Sequence, residues 1–156
     1  MKLHTLLSED LIVPDLESST RDEVLKEIVH FLRTGGRISR EKPLLGKLVA
    51  REELGSTAIG DGVAIPHCKL KGLTSPLLLL GVSRRGVAFG APDGKPSYLF
   101  FLVICSRDEP GTSLQILAAI ASLVRKAPGL PRRVLEAWTP RTVIEVVREE
   151  EDRPSV

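Results

Sequence analysis

The residues of this chain best placed to do chemistry lie between Arg51 and Leu70. Val63, Ala64 and Ile65 form a short apolar run, stopped by Pro66 and followed by His67. Proline fixes its own φ and pushes the residue before it towards extended geometry. The spacing therefore predicts an imidazole held stiffly at the end of a buried strand. Upstream, Gly55, Ser56, Thr57, Gly60, Asp61 and Gly62 make a polar loop rich in glycine and hydroxyls, and Arg51 and Glu52 close the amphipathic segment before it. A neutral imidazole offers a lone pair near physiological pH. A guanidinium is a planar fork suited to phosphate. Glycines let backbone N–H groups approach an anion closely. Together these residues suit an imidazole that takes up an anionic group, with Arg51, Ser56, Thr57 and the Gly60 backbone offering donors to it.

Each residue also has a plainer reading. Most lone histidines are not catalytic, Arg51 fits a solvated helix end, and Ser56 and Thr57 fit turns. A hydrolase using His67 as general base would need a nucleophile nearby, and only Cys68 is adjacent. Successive strand residues point to opposite faces, which disfavours that pair. Cys68 reads as a small side chain and Cys105 as a core residue. No metal-ligand spacing is visible, and neither a metal nor another cofactor is expected.

The elements that must position these groups follow from local pattern. Residues 6–16 read as an irregular or extended lead-in. Thr20 and Glu23 match a capping box. Val24, Leu25, Ile28, Val29, Phe31 and Leu32 follow at helical spacing, and Gly35-Gly36 ends that helix. Ser39 opens a second helix, buried through Leu44, Leu45, Leu48 and Val49, that delivers Arg51 to the glycine loop. Leu77–Arg85 and Ser97–Cys105 read as strands, the second central because it is apolar nearly throughout. Asp93-Gly94 marks a tight turn between them. The next loop ends with Thr112 or Ser113 as N-cap of a periodic helix, which Pro128–Pro131 breaks. A short helix is expected over Arg132–Ala137. Thr139-Pro140 then opens a last helix as N-cap and N1. Trp138 reads as a packing residue, His30 as a surface residue, and Glu149–Val156 as a charged tail that frays. Helices, then strands, then helices predict an α/β fold with a mixed sheet between helical layers. Residues 1–150 make one domain, with 151–156 as the tail.

A formal net charge of +2 and the lack of a basic stripe argue against nucleic-acid binding. The longest apolar runs fall far short of a membrane span, and acidic residues come too early for a signal peptide. These features predict a cytoplasmic protein without membrane insertion.

The run from Glu52 to Cys68, with Ile59, Gly60, Val63, Ala64, Ile65, Pro66 and His67 in place, resembles the phosphorylation-site signature of type-2 enzyme IIA domains. These belong to the fructose, mannitol and nitrogen-regulatory branch of the phosphoenolpyruvate-dependent phosphotransferase system. The opening LLSEDLIVPDLESSTRDEVL and the segments IPHCKLKGLTSPLLLLG and GVAFGAPDGKP are similar to that family too. The resemblance implies a mixed, roughly five-stranded sheet flanked by helices. It implies that His67 is phosphorylated by a histidine-containing phosphocarrier protein, itself served by enzyme I. It further implies either a regulated target protein or a sugar-specific IIB component as the next partner. The absence of a fused transport partner favours the nitrogen-regulatory type. Many members carry a second active-site histidine in a run like His-Leu-Gln. Here Ser113-Leu114-Gln115 stands in its place, so Ser113 is expected to contribute a hydrogen bond at the helix N-terminus without a cation, slowing transfer. A module that acts by contact, with slow or lost phosphorylation, is the alternative. Cys68 replaces a glycine common in relatives.

Overall fold

The computed structural model describes residues 1–154. Six strands form one mixed sheet: β1 Ile12–Val13, β2 Ala58–Gly60, β3 Val63–Ala64, β4 His67–Leu70, β5 Leu77–Val87 and β6 Ser97–Ser106. Five helices cover it: α1 Arg21–Thr34, α2 Glu41–Glu53, α3 Pro110–Lys126, α4 Leu130–Leu135 and α5 Pro140–Asp152. The strand order is β1-β5-β6-β3-β2, and β4 also pairs with β6.

Six strands and the expected five are reconciled by a single proline. β3 and β4 both run parallel to β6 and share one register, Val63 to Leu99 and Ala64 to Phe100, then His67 to Val103 through Leu70 to Ser106. They are one line of chain interrupted at Ile65-Pro66. Proline has no N–H to give to a ladder, although its carbonyl still accepts from Val103 N–H at 3.0 Å.

Side chains alternate across the sheet and so sort into two cores. Leu78, Leu80, Phe101, Val103 and Cys105 face α3, α4 and α5. Leu77, Leu79, Phe100, Leu102 and Ile104 face α1 and α2. The result is the helix–sheet–helix sandwich that the sequence predicts.

Local differences have physical reasons. A 3₁₀ turn, Leu3–Thr5, precedes the lead-in, which holds a second, Glu9–Leu11, and strand β1, which pairs parallel with β5. α2 starts at Glu41, two residues later than expected, with Arg40 at the N-cap position and no side-chain cap. α3 starts at Pro110, so Ser113 lies inside its first turns and does not cap it. α4 begins before Arg132, at Leu130, with Pro131 in its first turn where a missing N–H does no harm. α5 runs into the charged tail as far as Asp152. Buried Glu150 pairs there with Arg133 and Arg153, and Glu151 accepts from the backbone N–H of Leu3 and His4 at 2.6 and 2.9 Å. Of the tail expected to fray, Ser155 and Val156 lie outside the described residues. Trp138 is 64% exposed and does not enter the core; the guanidinium of Arg84 sits 3.8 Å from its ring centroid.

Candidate phosphoryl-acceptor site

His67 opens β4 and is half-buried, so it begins a strand where the sequence predicts the end of one. Its Nδ1 lies 2.7 Å from Ile65 O. A carbonyl can only accept, so Nδ1 carries the proton and Nε2 keeps the lone pair. Parallel partners share a face, so His67 projects on the Val103 and Cys105 side, under α3. Cys68 points to the opposite layer. Burial pushes the Cys68 thiol up to about 11, which leaves it protonated and a poor nucleophile.

The other expected residues divide into two kinds. Arg51, in the last turn of α2, is half-buried and donates from Nη1 to Gly55 O at 2.8 Å. No hydrogen bond joins it to His67 among the described residues. Ser56 is exposed; its hydroxyl donates to Phe89 O and accepts from Ala58 N–H at 3.0 Å. Thr57, expected to bind phosphoryl oxygens, is 5% exposed and spends its hydroxyl proton on Glu52. Ser113, expected to donate at a helix N-terminus, is 6% exposed and lies beside the buried Cys105 thiol. It shares a layer with His67 but faces the core.

Gly60 has φ +89 and is followed by Asp61 at +56 and Gly62 at +79. Three successive left-handed residues are costly for any side chain but glycine. Asp93 holds that turn, accepting from Asp61 N–H at 3.1 Å and from Lys95 N–H at 3.0 Å. These two N–H groups keep its carboxyl below the usual carboxylate range. At the other end of the loop, a Cβ on Gly90 would come 3.1 Å from Ser56 Cβ. The GVAFGAPDGKP segment therefore grips the glycine-rich loop at both ends.

Sequence reasoning missed Glu52 and Asp93 as site-forming residues. Glu52, at the end of α2, is 4% exposed, and its carboxyl accepts from Thr57 N–H and Oγ–H at 2.9 and 2.5 Å. The position of an acid inside the signature was the available signal. A cleft of 550 Å³ is lined by Asp61 and Gly62 of the left-handed turn and by Asp93, together with Tyr98, Pro131 and Leu135; His67 is not part of its lining.

The phosphoenolpyruvate-dependent sugar phosphotransferase system EIIA 2 family matches residues 5–149. The nitrogen regulatory protein of Pseudomonas aeruginosa is 31% identical over 133 residues, 81% of this chain and 82% of that protein. The fructose-specific EIIABC component of Bacillus subtilis is 28% identical over 149 residues, which is 96% of this chain but only 23% of that protein. The crystal structure of nitrogen regulatory protein IIA-Ntr from Neisseria meningitidis is similar with a TM-score of 0.80 at 27% identity, covering 93% of this chain and 98% of its own. No helix among the described residues is long and apolar enough to cross a membrane. On the match over residues 5–149, the chain belongs to the EIIA type-2 family of the phosphoenolpyruvate-dependent phosphotransferase system.

Proposed function

We propose that this chain is a phosphoryl carrier whose Nε2 of His67 takes the group from a histidine-containing phosphocarrier protein. The observation that carries this reading is the 2.7 Å tie from Nδ1 to Ile65 O, which leaves Nε2 as the free nucleophile. Nε2 attacks the phosphorus of the donor's phosphohistidine. A new N–P bond forms, the donor N–P bond breaks, and its electron pair returns to the donor imidazole. Arg51 supports the charge on the phosphoryl oxygens. Ser56 and the backbone around Gly60 shape the loop beside them. The role is regulatory: the phosphoryl state reports to a target protein, as likeness to nitrogen regulatory proteins suggests.

Incubation with enzyme I, the phosphocarrier and phosphoenolpyruvate should give an acid-labile, base-stable gain of one phosphoryl group. His67→Ala should abolish it and keep the fold. A phosphoryl group on His4, His30 or a serine of the wild type would overturn the assignment. The regulatory half is tested with His67→Asp and His67→Ala as bait for a non-transporter partner that discriminates between them. Phosphoryl transfer onto a sugar-specific IIB component would replace it with the transport role.

A further inference from the structure

Glu52 is a buried acid for which no ion pair is found among the described residues. At 4% exposure its carboxyl has been taken out of water, and two donors from a single residue, Thr57, converge on it. Burying a polar group this way gains little stability over an apolar side chain of similar shape. The gain lies in geometry. Thr57, fixed by those two bonds, presents its carbonyl to Ile65 N–H at 3.0 Å. Ile65 presents its own carbonyl to Nδ1–H of His67 at 2.7 Å. Pro66 stands between, with fixed φ, and its carbonyl is tied to β6 through Val103 N–H at 3.0 Å. The neighbouring Arg51 holds Gly55 O, two residues before Thr57.

We infer that Glu52 is a positioning residue for His67: acting through Thr57 and Ile65, it sets the imidazole's tautomer and the loop on which Arg51 rests. This rests on the reading of His67 as phosphoryl acceptor. The connection is one of placement and carries no proton. Thr57 N–H and C=O belong to different peptide units, so the chain of bonds orients groups without relaying charge. Loss of the clasp lets Ile65 O turn away from Nδ1. The imidazole can then protonate at Nε2, the atom that must attack.

Two disrupting variants and one restoring control test this together. Glu52→Leu keeps a similar bulk and removes both acceptors for the Thr57 donors. Thr57→Val removes the hydroxyl and leaves the backbone bond. Thr57→Ser restores the hydroxyl. Imidazole ¹⁵N spectra of the neutral form give the tautomer, and rapid-quench transfer from the phosphocarrier gives the rate. The wild type and Thr57→Ser should show Nδ1–H. Glu52→Leu and Thr57→Val should show a mixture with Nε2–H and transfer about 100-fold slower, the scale of a small misplacement at a reacting atom. Their KM for the phosphocarrier should stay at the wild-type value. Wild-type tautomer in both variants overturns the inference, whether transfer is unchanged or falls only with melting temperature. If the wild type takes no phosphoryl group at His67, the proposed function fails, and the tautomer comparison still decides the role of Glu52.

Discussion

Arg51 spends one of its five N–H donors on Gly55 O, which aims the fork and leaves the others for an anion. Arg51→Lys keeps the charge and loses the fork, so phosphoryl transfer to His67 should slow with little change in stability. Rates equal to wild type in both Arg51→Lys and Arg51→Ala would reduce Arg51 to a loop brace. Ser113 is expected to behave differently from a site residue. Its buried hydroxyl faces Cys105, so Ser113→Ala should take up phosphoryl at the wild-type rate. Ser113→His forces a larger side chain into a packed layer and should destabilise by about 1–3 kcal/mol in urea unfolding. Cys68, with its thiol pushed up to about 11, should react with iodoacetamide slowly at neutral pH and quickly only as pH approaches that value. The raised value also has a stability sign. Its contribution is whole below the ordinary thiol range and is lost as pH climbs through about 11. Rapid alkylation of the folded protein at neutral pH would refute this.

Among the elements, α5 and α3 begin in contrasting ways. Thr139 accepts Thr142 N–H at 3.1 Å at the head of α5. Thr139→Ala should therefore cost about 1 kcal/mol, read as a lower urea midpoint at constant slope. Glu109, at the N-cap position of α3, makes no side-chain cap, so Glu109→Ala should leave the midpoint unmoved. This contrast tracks what the sequence could show. Thr20, Thr139 and Pro140 were legible because a cap is decided within four residues. Ser113 misled because Gly-Thr-Ser resembles a cap, while Pro110, which is well suited to a first helical turn, marked the true start. The β3–β4 line was not legible, since its register depends on β6, thirty-six residues away by the pairing of Val63 with Leu99. The clasp made by Asp93 was hidden for a related reason. Local pattern flags an acid in a loop but not the backbone N–H it meets, and Asp93 meets one on Asp61 across thirty-two positions.

Across the whole molecule, Arg84 joins parts of the chain that are remote in sequence. From β5 its guanidinium donates to Pro14 O in the lead-in, to Leu135 O at the end of α4, and to Ala137 O before α5. Its far face stacks on Trp138. The cation sits at a junction of carbonyls with no carboxylate bonded to it among the described residues, and burial lowers its proton affinity from the ordinary arginine value. A guanidinium remains charged under such a shift and can reach three carbonyls at once, which an ammonium on a flexible stem cannot. Arg84→Lys should leave at least one half-buried carbonyl unpaired and weaken the stacking, for a loss of about 1–3 kcal/mol. The strain should appear far from β5, because the lead-in and the α4–α5 corner both depend on this side chain. The chain has a single tryptophan, so its fluorescence reports on that corner alone. Arg84→Lys should shift Trp138 emission to the red before the main unfolding transition and lower the urea midpoint, while phosphoryl uptake at His67 persists in the folded fraction. An unchanged emission spectrum together with an unchanged midpoint would show that the corner holds without its cation.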